Sequence, residues 1–510
     1  MSNLIVKNVT ANIVAKIWNI LSLYLFVPIW IHFLGVEGYG VISFYTILMT
    51  LAYFADAGLT ATLTREFARG DIDDQYRRDL LRTIELVYLG IVFVLFVVIF
   101  AFSGFLVTHF LKTDSYSFDE LRLCVRIMSL TMSFNFMFSL YNGGLFGLQR
   151  QVAGNVISIS YSIMRSAVVI VPLLFYPTLE TFFIWQLFSI VISVIVVRSI
   201  LIRKISVTGN QAEFRPEYFK SIWKYALGMM LMAIISALNT QLDKLVTGNV
   251  LSLEDMGYYS LASTIGIAVI SIAQPIGVAF YPELTRLLSV NRKKMEELLL
   301  IFSFIISALS VIIGMTLFFY IDSYAYLWTH DMVIVNAIRI PARLLIIGNT
   351  LQCLQLPPYY LALANGHTKT NVKLGSLMLL FMIPSVYLFT RQWGLSGTAV
   401  PYVILNIFAA TYLAYVILKL FFKERIHEWM RYILRPFMAG LAILVLFYVF
   451  YYVWREHFSA LTAFIYSAVV CLLDVFVCAR LLVRMNPGVI EYVPLRFRKY
   501  IQNNNYRKDE

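Results

Sequence analysis

The chain alternates between long apolar runs and short polar links. A helix needs about 20 apolar residues to cross the hydrocarbon of a bilayer. On that rule 14 runs qualify: 11–34, 39–64, 81–103, 123–147, 154–176, 180–202, 221–248, 256–282, 297–320, 337–363, 371–390, 395–418, 433–454 and 459–483. None shows the roughly ten-residue alternation of a membrane barrel. Lipid offers no hydrogen-bond partner to an open backbone, so the spans are predicted to be helices. The pattern therefore predicts an all-α polytopic membrane protein with 14 transmembrane helices. The tenth run is unusually long and holds Pro357-Pro358, which predicts a break or kink. No small-residue cleavage site follows the first run, which is expected to stay as a helix rather than leave as a signal peptide.

Composition agrees with this picture. Hydrophobic residues make up 60% of the chain and charged ones 14%, with a mean hydropathy of +0.76, against about 25% charged in soluble domains.

One stretch is repeated. Within LGVEGYGVISFYTILMTLAYFADAGLTATLTREFARG, residues 34–70, Glu37, Gly40, Ser43, Glu66 and Arg69 recur 217 positions later as Glu254, Gly257, Ser260, Glu283 and Arg286. Arg122 and Arg126 recur at the same offset as Arg339 and Arg343. A constant offset implies an internal duplication, with helices 1–6 and 7–12 as its copies. Six is an even number, so both copies enter the membrane in the same sense and form a parallel repeat about an axis along the membrane normal. The expected organisation is an N-terminal lobe over 1–204, a C-terminal lobe over 205–420, two extra C-terminal helices within 421–484, and a basic tail over 485–510.

The net charge of +12 raises the question of nucleic acid, and its placement answers it. The 41 Lys and Arg residues gather at alternate helix ends, while the opposite loops hold only Lys112, Arg122, Arg391 and Arg455. That is the positive-inside pattern. It predicts both termini in the cytoplasm and needs no nucleic-acid partner. Cys124, Cys353, Cys471 and Cys478 lie in apolar runs without metal-ligand spacing, so no disulfide or metal role is assigned. The six histidines are scattered, and no Walker motif or Ser-His-Asp arrangement is present. No enzyme activity and no cofactor are expected.

An ionisable side chain at membrane depth is costly unless paired or wetted, so each is a functional candidate. Arg165 stands roughly 17 Å into helix 5 at about 1.5 Å per residue. Its planar, permanently charged fork suits phosphate, while a salt bridge to another helix is the plain structural alternative. Lys244, beside Asp243 near the outer end of helix 7, is a second candidate for the same anion, or else a snorkelling interface residue. Asp56 on helix 2 and Lys16 on helix 1 should share a depth, as a clamp or as a gate. Asp56 has Ala273 as its repeat counterpart, an asymmetry that favours function. Asp474 in helix 14 is a candidate proton relay for coupling. Arg122 and Arg126, like Arg339 and Arg343, share a helix face at i,i+4. The four either ring an external mouth or mark the membrane interface. Glu66/Arg69 and Glu283/Arg286, spaced i,i+3 at helix ends, read as local salt bridges.

The combination LGVEGYGVISFY, then FADAGLTATLTREFARG, and later WGLSGTAVPYVI, resembles the Wzx-type polysaccharide (O-antigen) flippases of the MOP transporter superfamily. The resemblance covers almost the whole chain and is strongest in 34–70. It implies a two-lobed helical fold around a central cavity in the bacterial inner membrane. The implied cargo is an undecaprenyl-diphosphate-linked oligosaccharide of lipopolysaccharide or a related surface polysaccharide, moved between leaflets by alternating access. Membrane lipids, a polysaccharide polymerase and a chain-length regulator are the partners it implies, and helices 13 and 14 would guide the polyprenyl tail. An O-antigen polymerase or polyprenyl-sugar glycosyltransferase would share the helix number, but the short external loops and the duplication argue against it. A MATE-like drug or ion antiporter is the other reading, disfavoured by the cationic lean of the intramembrane residues.

Overall fold

The computed structural model describes residues 2–56, 58–69, 72–205, 211–218, 238 and 240–488, excluding the side chains of 2–6, 9 and 53–56. Among these residues the secondary structure is helical and contains no strand. The first half comprises α1 (Ser2–Asp56), α2 (Leu59–Phe67), α3 (Asp74–Ala101), α4 (Ser103–Phe110) and α5 (Phe118–Gly147). It continues with α6 (Gln151–Ile163), a π-helical turn (Met164–Val168), α7 (Ile170–Phe175), α8 (Leu179–Lys204) and α9 (240–250). The second half comprises α10 (Leu253–Gly266), α11 (Ala268–Val290), α12 (Arg292–Phe319), α13 (Ile321–Thr329) and α14 (Met332–Cys353). After these come α15 (Leu356–Ala364), α16 (Lys369–Phe421), α17 (Ile426–Val453) and α18 (Ala460–Met485).

Ten of these helices are long and apolar enough to cross a membrane, or eleven if α10 and α11, bent by 41°, count as one span. The chain is thus a multi-pass membrane protein. The count of 14 is not reached. Two of the ten are interrupted helices, and most of the run expected at 221–248 lies outside the described residues.

Local chemistry sets the breaks. In α1 the helix is interrupted at Gly35, with φ 72° and ψ 176°, a conformation that residues with a Cβ rarely adopt. The carbonyl of Leu34 at this break accepts a 3.0 Å hydrogen bond from the Tyr116 hydroxyl, and Glu37 accepts one of 2.5 Å from Thr113. Gly394 does the same work in α16, with φ 57° beside Trp393. Pro357 and Pro358 fall in the first turn of α15, where a missing N–H costs nothing, and the tenth run breaks just before them as expected. Side-chain caps from Asp73, Ser117, Thr178, Asn291, Asp331 and Ser459 start the helices that follow loops.

The chain divides into two units, Met1–Ser260 and Leu261–Glu510. In the first, α5 is the centre. Gly143 and Gly147 let α2 approach closely, and the Thr64 hydroxyl donates to the Gly143 carbonyl at 2.9 Å. Small residues serve this purpose wherever membrane helices must touch. In the second unit α12 is most deeply buried. Its Ser307 donates to the Ile433 carbonyl at 2.7 Å, and its Ser303 accepts from the Trp429 indole at 2.9 Å.

The duplicated stretches also touch each other inside the first unit. A Cβ at Gly40 would stand 2.5 Å from the Leu253 carbonyl oxygen, and one at Gly257 would stand 2.4 Å from that of Val36. Gly40 and Gly257 are repeat equivalents, and so are Val36 and Leu253. The contact is reciprocal, as a two-fold-related pair of segments would make it.

Candidate cationic site

Arg165 lies within the π-turn that joins α6 to α7. Such wide turns interrupt the regular ladder and occur often at functional positions. Three consecutive carbonyls of this turn are met by side chains from two other helices. The Trp185 indole donates to Met164 at 2.8 Å, the Gln186 amide to Arg165 at 2.8 Å, and the Trp30 indole to Ser166 at 3.3 Å. The backbone under Arg165 is therefore held from α1 and α8 together.

The side chain of Arg165 is exposed, and its guanidinium carbon lies 5.4 Å from the centre of the Tyr161 ring. Tyr161 is buried and donates to Asn135 Oδ1 at 3.1 Å. Asn135, also buried, donates to the Thr131 carbonyl at 2.8 Å and to the Tyr45 hydroxyl at 3.4 Å. An exposed, permanent cation thus stands on a buried polar relay of three side chains. Held in this way, a planar guanidinium can offer parallel N–H donors to a phosphate oxyanion.

The other expected residues lie on other helices. Lys244 is half-buried on α9, next to Asp243. Asp243 is buried and accepts from the Tyr259 hydroxyl at 2.8 Å and from the Lys244 backbone at 2.9 Å, so it does not snorkel. Lys16 is exposed on α1. The Asp56 side chain lies outside the described residues, and so does any pairing with Lys16. Asp474 on α18 is fully buried. The Cys478 thiol lies 3.5 Å from its Oδ1, and among the described residues its Oδ2 has no hydrogen-bond partner. Gly440 makes room for it, since a Cβ there would stand 3.1 Å from Oδ2.

The four arginines expected at an external mouth do not behave alike. Arg339 donates to Asp322 at 2.7 Å, and Arg343 donates to the Phe318 carbonyl at 3.2 Å. Arg126 instead lies 4.6 Å from the Phe100 ring centre and Arg122 6.0 Å from that of Phe118. The Nε of each is buried and without a hydrogen-bond partner among the described residues. The local pairs match expectation, with Arg69–Glu66 at 2.9 Å and Arg286–Glu283 at 2.6 Å.

Sequence reasoning missed several ion clusters, and Glu85 holds one of them. Glu85 on α3 is buried, and it accepts from Arg198 on α8 at 2.8 Å and from the Tyr141 hydroxyl on α5. The signal was present as one acid and one base near the ends of two apolar runs. It also passed over Trp30, Asn135, Tyr161, Trp185 and Gln186, the supports of Arg165. Of these, Asn135 and Gln186 are visible as amides in apolar runs.

A family model described as "Polysaccharide biosynthesis protein" matches residues 5–288, more than half of the chain. The chain belongs to this family. The "Putative O-antigen transporter" of Shigella flexneri is 23% identical over 375 residues, which is 72% of this chain and 86% of that protein. Among solved structures, the lipid II flippase MurJ in an inward closed conformation aligns with a TM-score of 0.70 at 15% identity, covering 93% of this chain and 99% of MurJ. An inward-facing multidrug resistance MATE family transporter of the MOP superfamily aligns with a TM-score of 0.61 at 16% identity, covering 82% and 96%. The fold of this family member is that of the MOP-type transporters.

Proposed function

We propose that this protein is a transporter and not an enzyme, and that it flips an undecaprenyl-diphosphate-linked oligosaccharide across the bacterial inner membrane by alternating access. The observation that carries the reading is Arg165, an exposed cation well inside a helical transmembrane run. Its backbone is fixed by three side-chain donors and its side chain lies over a buried tyrosine. A diphosphate is the part of such a lipid that a fixed guanidinium recognises, and Lys244 supplies a second positive charge. The names of the relatives, an O-antigen transporter and a lipid II flippase, support a lipid-linked glycan as cargo.

In this reading the two copies, 1–204 and 205–420, rock against each other with both termini in the cytoplasm, completing 14 spans with helices 13 and 14. The reciprocal contact at Gly40 and Gly257 is then one that forms and parts during the cycle. Lys16, Asp56 and Asp474 are the coupling candidates. Transport in proteoliposomes with an imposed pH gradient tests Asp474, because Asp474→Asn should remove any dependence on that gradient.

The central test is export in cells. Arg165→Ala should reach the membrane in normal amount and leave single lipid-linked units on the cytoplasmic side, with surface glycan lost. Normal surface glycan in that variant refutes the site. The MATE likeness supports a second reading, a drug antiporter, which efflux of a cationic dye would reveal. A cationic site is poorly suited to that cargo.

A further inference from the structure

Arg122 and Arg126 in the first unit are left unsatisfied by the side chains of the described residues. Arg122 and Arg126 stand one turn apart on α5, about 6 Å along the axis. Both are half-buried, and both Nε atoms are shielded from solvent without an acceptor. Among the described residues neither makes an ion pair or a hydrogen bond through its side chain. Asp119 and Glu120, in the first turn of the same helix, form no ion pair with either. Each guanidinium has an aromatic ring beside it, Phe118 for Arg122 and Phe100 for Arg126.

Two like charges on one helix face repel, and half-burial among rings strengthens the repulsion. An anion between them reverses the sign of that energy. The surroundings say what kind of anion. Phe102, Phe105, Phe118 and Leu123 are each about half exposed. A Cβ at Gly104 would stand 3.5 Å from the Phe118 ring and 4.0 Å from the Arg122 Nε, in ordinary van der Waals contact, so this glycine packs beside the pair. Unpaired guanidiniums set in an exposed apolar surface match an amphiphile with a phosphate head.

We propose that Arg122 and Arg126 bind the phosphate of a membrane phospholipid, held at the end of α5 remote from the Gly147–Arg150 turn. Its acyl chains lie along Phe102 and Phe105. Anionic phosphatidylglycerol binds more tightly than phosphatidylcholine, whose own ammonium competes with the arginines. The site stands apart from the transport reading and holds whatever the cargo proves to be.

The full-length protein, reconstituted in nanodiscs of phosphatidylcholine with or without phosphatidylglycerol and then released for native mass spectrometry, tests this. Wild type should retain one phosphatidylglycerol. The double variant R122Q/R126Q should lose it by roughly tenfold or more, the scale of one or two charge-assisted hydrogen bonds. R339Q/R343Q should retain it. Equal retention in R122Q/R126Q overturns the proposal, and so does an equal loss in R339Q/R343Q. If the glutamine pair does not fold, R122K/R126K keeps the charges without the fork and should lose lipid by a smaller factor; full retention there overturns the assignment to guanidinium donors. A third arm adds inorganic phosphate to lipid-free protein in detergent. Phosphate bound there as tightly as the lipid assigns the site to a free ion and overturns the lipid source, whereas weak binding that only competes with the lipid supports it.

Discussion

Arg122/Arg126 and Arg339/Arg343 are the same pair at a constant offset, yet they end in different chemistry. Arg339 meets Asp322 at 2.7 Å and Arg343 meets a backbone carbonyl. The repeat counterpart of Asp322 is Phe105, so the first copy has no acid at that place. The same asymmetry holds deeper in the membrane, where Arg165 has Met382, a buried apolar residue, as its counterpart. The glycines behave oppositely, with Gly40 and Gly257 in matching contacts. The glycines of the scaffold are matched between the two repeats, whereas Arg165 and the acid that meets Arg339 each stand in one repeat alone.

The largest effect should come from making the deep position alike in both copies. Arg165→Ala removes a contact expected to supply one or two charge-assisted hydrogen bonds to a diphosphate, each about 1.5–3 kcal/mol. Export in a complementation assay should fall by roughly a hundredfold. Met382→Ala, the matched change in the second copy, should leave measurable export. Equal loss in both variants would mean that the assay reads folding, which membrane abundance checks directly.

The glycine contact should respond symmetrically. Gly40→Ala and Gly257→Ala each place a Cβ against a backbone oxygen at 2.5 and 2.4 Å, so the segments must separate. The cost expected for such overpacking is about 1–3 kcal/mol each. Thermal unfolding followed by fluorescence should show similar drops for the two. A drop at only one of them would show that the reciprocity is not an energetic one.

Phe105→Asp transplants the acid of the second copy into the first. Arg122 should then gain the kind of partner that Arg339 has, and retained phosphatidylglycerol should fall by roughly tenfold. Asp322→Phe is the reverse exchange and should create lipid retention in the second unit. Native mass spectrometry of the two variants, counted against wild type, reads both directions.

The contrast also marks what the sequence made legible. Breaks at Gly35, Gly394 and Pro357-Pro358 follow from the chemistry of those residues alone, and the structure shows each one. The apolar runs give depth along a helix, which is why Arg165 stands out in the sequence as a candidate. Depth says nothing of the direction in which a side chain points. Glu85 with Arg198, Asp322 with Arg339, and the three donors under Arg165 all depend on how helices distant in sequence are rotated against each other. The π-turn belongs to the same class, because its widening is stabilised by Trp30, Trp185 and Gln186 from other helices.

The smallest effect belongs to the pairs that are alike in both copies. Arg69–Glu66 and Arg286–Glu283 are short i,i+3 bridges at 2.9 and 2.6 Å. Glu283 and Arg286 are exposed, whereas Glu66 is buried beside an exposed Arg69. Exposed pairs of this spacing contribute little, because solvent screens the charges and both side chains lose freedom. Glu283→Gln should therefore leave thermal stability nearly unchanged, and added salt should not widen the gap from wild type. Glu66→Gln keeps the shape of the side chain in a buried place and weakens one hydrogen bond to Arg69, so its loss should be the larger of the two. If Glu283→Gln instead destabilises the protein as much as Glu66→Gln does, burial is not what separates these otherwise matching pairs.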